Sequence, residues 1–121
     1  MSEKYEQGLK LLKKLHGGHA GEEILNAIGD VGPDMARMII EWGFGEVMIR
    51  PQLDLKTREL AIIASLISLG YCMPQLTAHV EAALSVGAKK EEIVELIMQT
   101  AIYSGFPGAV NALIHIKHLL K

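Results

Sequence analysis

The sequence predicts an all-α protein of six to seven helices. No stretch alternates apolar and polar residues as a half-buried strand would, and apolar residues recur at three- and four-residue spacing along most of the chain. The four prolines stand at helix boundaries. A length of 121 residues suits one compact domain, so residues 1–121 are expected to form a single unit of function.

Each helix has its own signature. Tyr5, Leu9, Leu12 and Leu15 share one face of an opening helix whose other face carries Lys10, Lys13 and Lys14, and Gly17 and Gly18 stop it. Gly8 lies inside that helix at a cost in propensity. A short segment from Gly21 to Ile28 ends at the Gly29, Asp30, Gly32, Pro33 cluster. Pro33 suits a first-turn position and opens a third helix through Met35, Met38, Ile39, Trp42 and Val47, where Gly43 and Gly45 mark a kink or a close backbone approach. Asp54 stands at an N-cap position, and Thr57, Arg58 and Glu59 lead into the run Leu60 to Leu69 of a fourth helix, apolar on nearly every side and expected in the middle of the fold. Gly70 ends it. A fifth helix follows Pro74 and closes at Gly87. A sixth begins after Lys89 and Lys90 with Glu91 and Glu92 favouring the positive end of its dipole, and a seventh runs from Ala109 to Leu120 beyond the break at Tyr103 to Pro107.

Composition narrows the function. Half of the residues are apolar, which is high for a chain this small and implies that some of that surface is buried in a homo-oligomer. Twelve Lys and Arg against fourteen Asp and Glu, in short mixed groups, give no nucleic-acid footprint. The apolar run Leu60 to Leu69, interrupted by Ser65 and Ser68, is too short to span a membrane. Charged residues near the N-terminus replace the apolar core of a secretory signal, which points to the cytoplasm. The single cysteine, Cys72, forms no intramolecular disulfide.

The segment from Gly70 to His79 carries the chemistry-bearing residues. Cys72 precedes the helix opened by Pro74, where orphan amide groups favour a thiolate, and Gln75 and His79 share a face four residues apart. The bland alternative is a buried cysteine and a satisfied core histidine. His115 and His118 lie three apart on the last helix, but two ligands without a cysteine or carboxylate partner make a poor metal site, and none is expected. Arg37, Arg50 and Arg58 each offer a fork for a carboxylate, and Arg58 equally suits a pair with Asp54.

Four segments together resemble the carboxymuconolactone decarboxylase family, which includes proteins of the alkyl hydroperoxidase D type. They are Trp42-Gly43-Phe44-Gly45-Glu46; Arg50-Pro51 with Leu53-Asp54-Leu55-Lys56-Thr57-Arg58-Glu59-Leu60; Cys72-Met73-Pro74-Gln75-Leu76 up to His79; and Gln99-Thr100-Ala101-Ile102-Tyr103-Ser104-Gly105-Phe106-Pro107. The resemblance implies an all-helical fold, intertwined dimers often assembled as a hexamer, and a pocket lined by the His79 helix. Its redox branch uses a Cys-x-x-Cys pair, a histidine and an earlier relay glutamate. Here Cys72 and His79 match, Glu59 stands near the glutamate position with one residue more to Cys72, and Gln75 replaces the second cysteine, so an internal dithiol cycle is impossible. The decarboxylase branch keeps the histidine without the cysteine pair and agrees better.

The resemblance therefore implies a cofactor-independent lyase on a small carboxylated lactone, whose conjugated carbonyl accepts the electrons released with carbon dioxide. His79 is the expected general acid, Arg50 and Arg58 the carboxylate holders, and Tyr103 a hydrogen-bond donor to the enolate, with Gln75 beside the substrate. The alternatives are a thiol peroxidase using Cys72, with an outside thiol to resolve it, and a non-catalytic oligomer that binds a ligand.

Overall fold

The computed structural model describes residues 2–121 and contains seven α-helices, one π-helical segment and a final 3₁₀ turn, with no strand among the described residues. This is the all-α architecture expected from the spacing. The chain forms two compact units, Met1–Asp54 and Leu55–Lys121.

The first unit holds α1 (Glu3–His16), α2 (Ala20–Ile28), α3 (Pro33–Met38) and the π segment (Ile39–Met48) that continues α3. The Ser2 hydroxyl oxygen caps α1 by accepting from the Tyr5 N–H at 3.1 Å. Helix α1 packs along the π segment, burying Leu12 and Leu15 on one side and Ile40 and Phe44 on the other. The His16 ring meets Phe44 edge-on at a centroid distance of 5.7 Å. Lys4 pairs with Glu46 across the same junction.

Glycine explains how closely these two rods approach. A Cβ at Gly8 would overlap the Ile40 carbonyl oxygen, and one at Gly45 would overlap the Lys4 carbonyl oxygen, whereas Gly43 faces open space. The close backbone approach expected at Gly43 or Gly45 is thus made at Gly45, and Gly8 is its counterpart on α1. The expected third helix is continuous in path but changes from 3.6 residues per turn to the wider π winding at Ile39. In the π segment Ile40, Phe44 and Gly45 are buried and Trp42 is 65% exposed, and before it Met35 and Met38 lie on the surface at 62% and 56%.

The second unit contains α4 (Leu55–Leu69), α5 (Met73–Ser85), α6 (Lys90–Ser104), α7 (Phe106–Ile116) and the 3₁₀ turn Lys117–Leu119. Pro74 and Pro107 sit in the first turns of α5 and α7, where a missing N–H costs nothing. Gly70 ends α4 with φ +84°, a conformation costly for any residue with a Cβ. Ile63 and Ile67 of α4, Leu76 and Val80 of α5, and Ile93 and Ile97 of α6 build the core. Ala101, Ala109 and Ala112 let α6 and α7 lie close to it.

Helix α4 was expected to be surrounded, and only one of its stripes is: Glu59, Ile63 and Ile67 are buried while Ala61 and Leu69 are exposed. Within the unit α5, α6 and α7 pack against α4, and Leu60 adds a partly buried contact beside that stripe. At the start of α6, the Glu92 carboxylate accepts from the Lys89 backbone N–H and from Lys56, each at 2.8 Å. The Lys56 bond, followed by the Lys89 bond, holds the Glu92 carboxyl below its ordinary range. No helix among the described residues is long and apolar enough to cross a membrane.

The packing at Gly8 gives a prediction opposite in sign to helix propensity. Alanine favours an isolated helix by about 1 kcal/mol over glycine. Overlap with the Ile40 carbonyl reverses this, so Gly8→Ala should destabilise the protein by about 1–3 kcal/mol in urea unfolding. An unchanged or raised midpoint would show that α1 does not lie this close to the π segment.

Candidate active site

The chemistry of the second unit centres on a contact between α4 and α5. Glu59 begins the buried stripe Glu59, Ile63, Ile67, spaced four residues apart, so the carboxyl is carried to the same depth as the core isoleucines. His79 lies on α5, between the buried residues Ala78 and Val80. Its Nδ1 is 2.7 Å from Glu59 Oε1. With the carboxylate accepting, Nδ1 carries the hydrogen and the ring is fixed in one orientation. Glu59 is fully buried, whereas the His79 side chain keeps 20% exposure, so the ring is reachable from outside and its anchor is not.

Burial makes this contact decisive for the local energetics. A carboxyl withdrawn from water is costly unless its oxygens are bonded. Oε1 has His79; Oε2 has no hydrogen-bond partner among the described residues. The Glu59 side chain thus depends on this one bond for its compensation among the described residues.

The other expected site residues are distributed unevenly around this pair. Cys72 occupies the position before α5 and is buried at 9% exposure, with its side chain making no capping hydrogen bond. Gln75 is exposed on the first turn of α5, and Arg58 is partly buried on α4 next to Glu59 in sequence. Tyr103, at the end of α6, is 96% exposed and forms no hydrogen bond among the described residues. Arg50 belongs to the first unit. Within the second unit Glu59 and His79 share a direct bond, and among the described residues neither Cys72, Gln75 nor Tyr103 bonds to that pair.

Among the described residues no group of three or more His, Cys, Asp or Glu is arranged to hold a metal ion. His115 instead bonds Thr77, with Nε2 and Oγ1 3.0 Å apart, and His118 lies on the 3₁₀ turn. The Thr77–His115 contact was missed by reading α7 alone. Its signal is long-range, spanning 38 residues, and no local periodicity encodes it.

A family model described as the carboxymuconolactone decarboxylase family matches residues 33–117. The chain belongs to that family. It is 34% identical over 113 residues to the 4-carboxymuconolactone decarboxylase of Acinetobacter baylyi, covering 93% of this chain and 83% of that protein. It is 32% identical over 111 residues to the nitrosuccinic acid decarboxylase of Metarhizium robertsii, covering 91% and 76%. An uncharacterised 15.0 kDa protein of Paracoccus denitrificans is 36% identical over 90 residues, covering 74% and 67%. The family match includes both Glu59 and His79.

The buried bond between them has a measurable thermodynamic signature. His79→Ala leaves the Glu59 carboxyl without its partner and should cost about 3 kcal/mol of stability. Replacing both residues by leucine removes the polar group along with its partner, so the double variant should lose much less than the sum of the single changes. Additive losses in urea unfolding would mean that the two side chains are not coupled.

Proposed function

We propose that this protein is a cofactor-independent decarboxylase of small carboxylated lactones, with His79 as general acid and Glu59 as the residue that positions its ring. The observation that carries the proposal is the 2.7 Å contact between His79 Nδ1 and the buried Glu59 Oε1. It directs the proton donated to substrate to Nε2, on a ring that retains access to the outside. Two decarboxylases among the relatives, acting by name on different acids, support the reaction type. The family match across residues 33–117 supports reading that span as one functional domain.

In this mechanism the bond between the substrate's ring carbon and its carboxylate breaks, carbon dioxide leaves, and the electron pair passes into the conjugated lactone carbonyl. The resulting enolate is protonated at carbon by His79, whose positive charge Glu59 offsets in the low-dielectric interior. Arg50 and Arg58 are the candidate carboxylate holders, Tyr103 the candidate donor to the enolate oxygen, and Gln75 a further substrate contact. The same proposal places the enzyme in the cytoplasm as a dimer-based homo-oligomer, in keeping with the family's hexamers. Exposed Met35, Met38 and Trp42 on the first unit and Ile102, Phe106 and Val110 on the second supply apolar surface for assembly.

Carbon dioxide release from 4-carboxymuconolactone tests the chemistry. His79→Gln should lower kcat by about a hundredfold or more. Glu59→Gln should lower kcat by a smaller factor with little change in KM, since its effect is on the orientation of the acid. Turnover that survives His79→Gln would remove His79 from the mechanism. Buried Cys72 should form a sulfenic acid with dilute peroxide no faster than an ordinary cysteine; rapid oxidation without lactone turnover would favour the thiol peroxidase alternative instead.

Light scattering tests the assembly. The wild-type mass should be an even multiple of the 13.2 kDa chain. Ile102→Glu combined with Phe106→Glu should reduce it, and a wild-type mass equal to one chain would exclude the oligomer.

A further inference from the structure

A second small site lies on the second unit, on a different face of α5 from the Glu59–His79 pair. Helix α5 directs His79 toward α4, while Met73 and Thr77, four residues apart, face α7. Between α7 and the start of α5 is an open cleft of about 300 Å³. Gly70 and Gly108 line it without side chains, Met73 and Ile114 give it apolar walls, and Asn111 and His115 contribute its polar groups. Its size is at the lower end of ligand sites, suited to a molecule of a few heavy atoms.

Of the two polar groups, His115 is coupled to α5 through Thr77. In this unit Ser68 and Thr100 donate their hydroxyls to the carbonyl four residues earlier. Among the described residues Thr77 makes no such bond, and its partner is His115 Nε2 at 3.0 Å. In the tautomer in which the Thr77 hydroxyl donates to Nε2, the neutral ring carries its own hydrogen on Nδ1; in the other, Nε2 donates to Thr77. Asn111 is one turn before His115 on the same face of α7, and its amide makes no hydrogen bond among the described residues. In the first of these tautomers an imidazole N–H and an amide N–H belong to residues that line one cleft, with apolar walls beside them.

We propose that this cleft is a binding site for a short-chain monocarboxylate. Its two oxygens accept from His115 and Asn111, and its small apolar group lies against Met73 and Ile114. Thr77 is the positioning residue, because its hydroxyl sets which nitrogen of His115 donates. The site is independent of the lyase proposal: it requires no residue assigned to catalysis and its test reads no turnover.

The experiment is a titration of the full-length protein with isobutyrate, followed by calorimetry and by ¹⁵N-resolved amide spectra. Binding should saturate with a Kd on the order of 1 mM, as suits six heavy atoms in an open cleft. Shifts should centre on Gly70, Gly108 and the Asn111 side-chain amide. Asn111→Leu and His115→Leu, both exposed positions, should each weaken binding about tenfold, and Thr77→Val should weaken it while His115 remains in place. His79→Gln should bind as the wild type does. Isobutyramide, equal in shape but lacking the charge, should bind at least about tenfold more weakly. Equal binding of acid and amide, failure to saturate, or shifts that survive the Asn111→Leu, His115→Leu double variant would each overturn the proposal.

Discussion

A single hydrogen bond, from His79 Nδ1 to Glu59 Oε1, determines much of how the second unit is built. Glu59 occupies a position that an isoleucine would otherwise fill, in register with Ile63 and Ile67. Placing a carboxyl there is unfavourable by itself, and the compensation must come from a side chain that is also near the surface. Histidine meets both needs, because one ring nitrogen can face the core while the opposite edge remains accessible. Helices α4 and α5 must then keep the separation and rotation that hold this 2.7 Å contact, and the interlocking of Ile63, Ile67, Leu76 and Val80 supplies the rigidity. A carboxyl and a ring on flexible loops would not sustain the same geometry.

Much of the fold was legible in the sequence because helix boundaries are written locally. Pro33 and Pro74 open helices where a missing donor is harmless, and Gly70 and Gly87 close them with positive φ, as their sequence positions suggested, whereas Pro107, expected in a break before Ala109, lies in the first turn of α7. What was not legible depends on contacts between elements. Gly8 reads as a weak point of α1 until the Ile40 carbonyl is seen against it. The π winding from Ile39 to Met48 has no propensity signature, and it transfers burial from Trp42 to Phe44.

The candidate site divides along the same line. His79 stood out as a lone histidine on an apolar face, and the four-residue register of Glu59 with Ile63 and Ile67 contained the clue to its depth. Spacing measured along the chain to Cys72 obscured that clue, since a one-residue difference matters less than the face on which a side chain emerges. Tyr103 illustrates the opposite limit. Its phenol suits an enolate, but at the end of α6 it is almost wholly exposed and bonded to nothing among the described residues. Its proposed role rests on residue type, which carries no information about where a helix terminus points.

Helix α5 also shows why a small helical unit can support more than one polar site. Its core stripe of Leu76, Val80 and Ala83 occupies one sector, leaving two flanks where polar side chains can meet neighbouring helices. On one flank His79 bonds a fully buried carboxyl; on the other Thr77 bonds the exposed His115. The two histidines are chemically alike and differ in their surroundings. One ring is offset by an acid in a low-dielectric interior, which suits the charge changes of proton transfer. The other is held by a neutral hydroxyl beside an amide at an open cleft, which suits hydrogen-bond donation without proton loss. The partner that each helix presents, rather than the histidine itself, is what distinguishes the two rings.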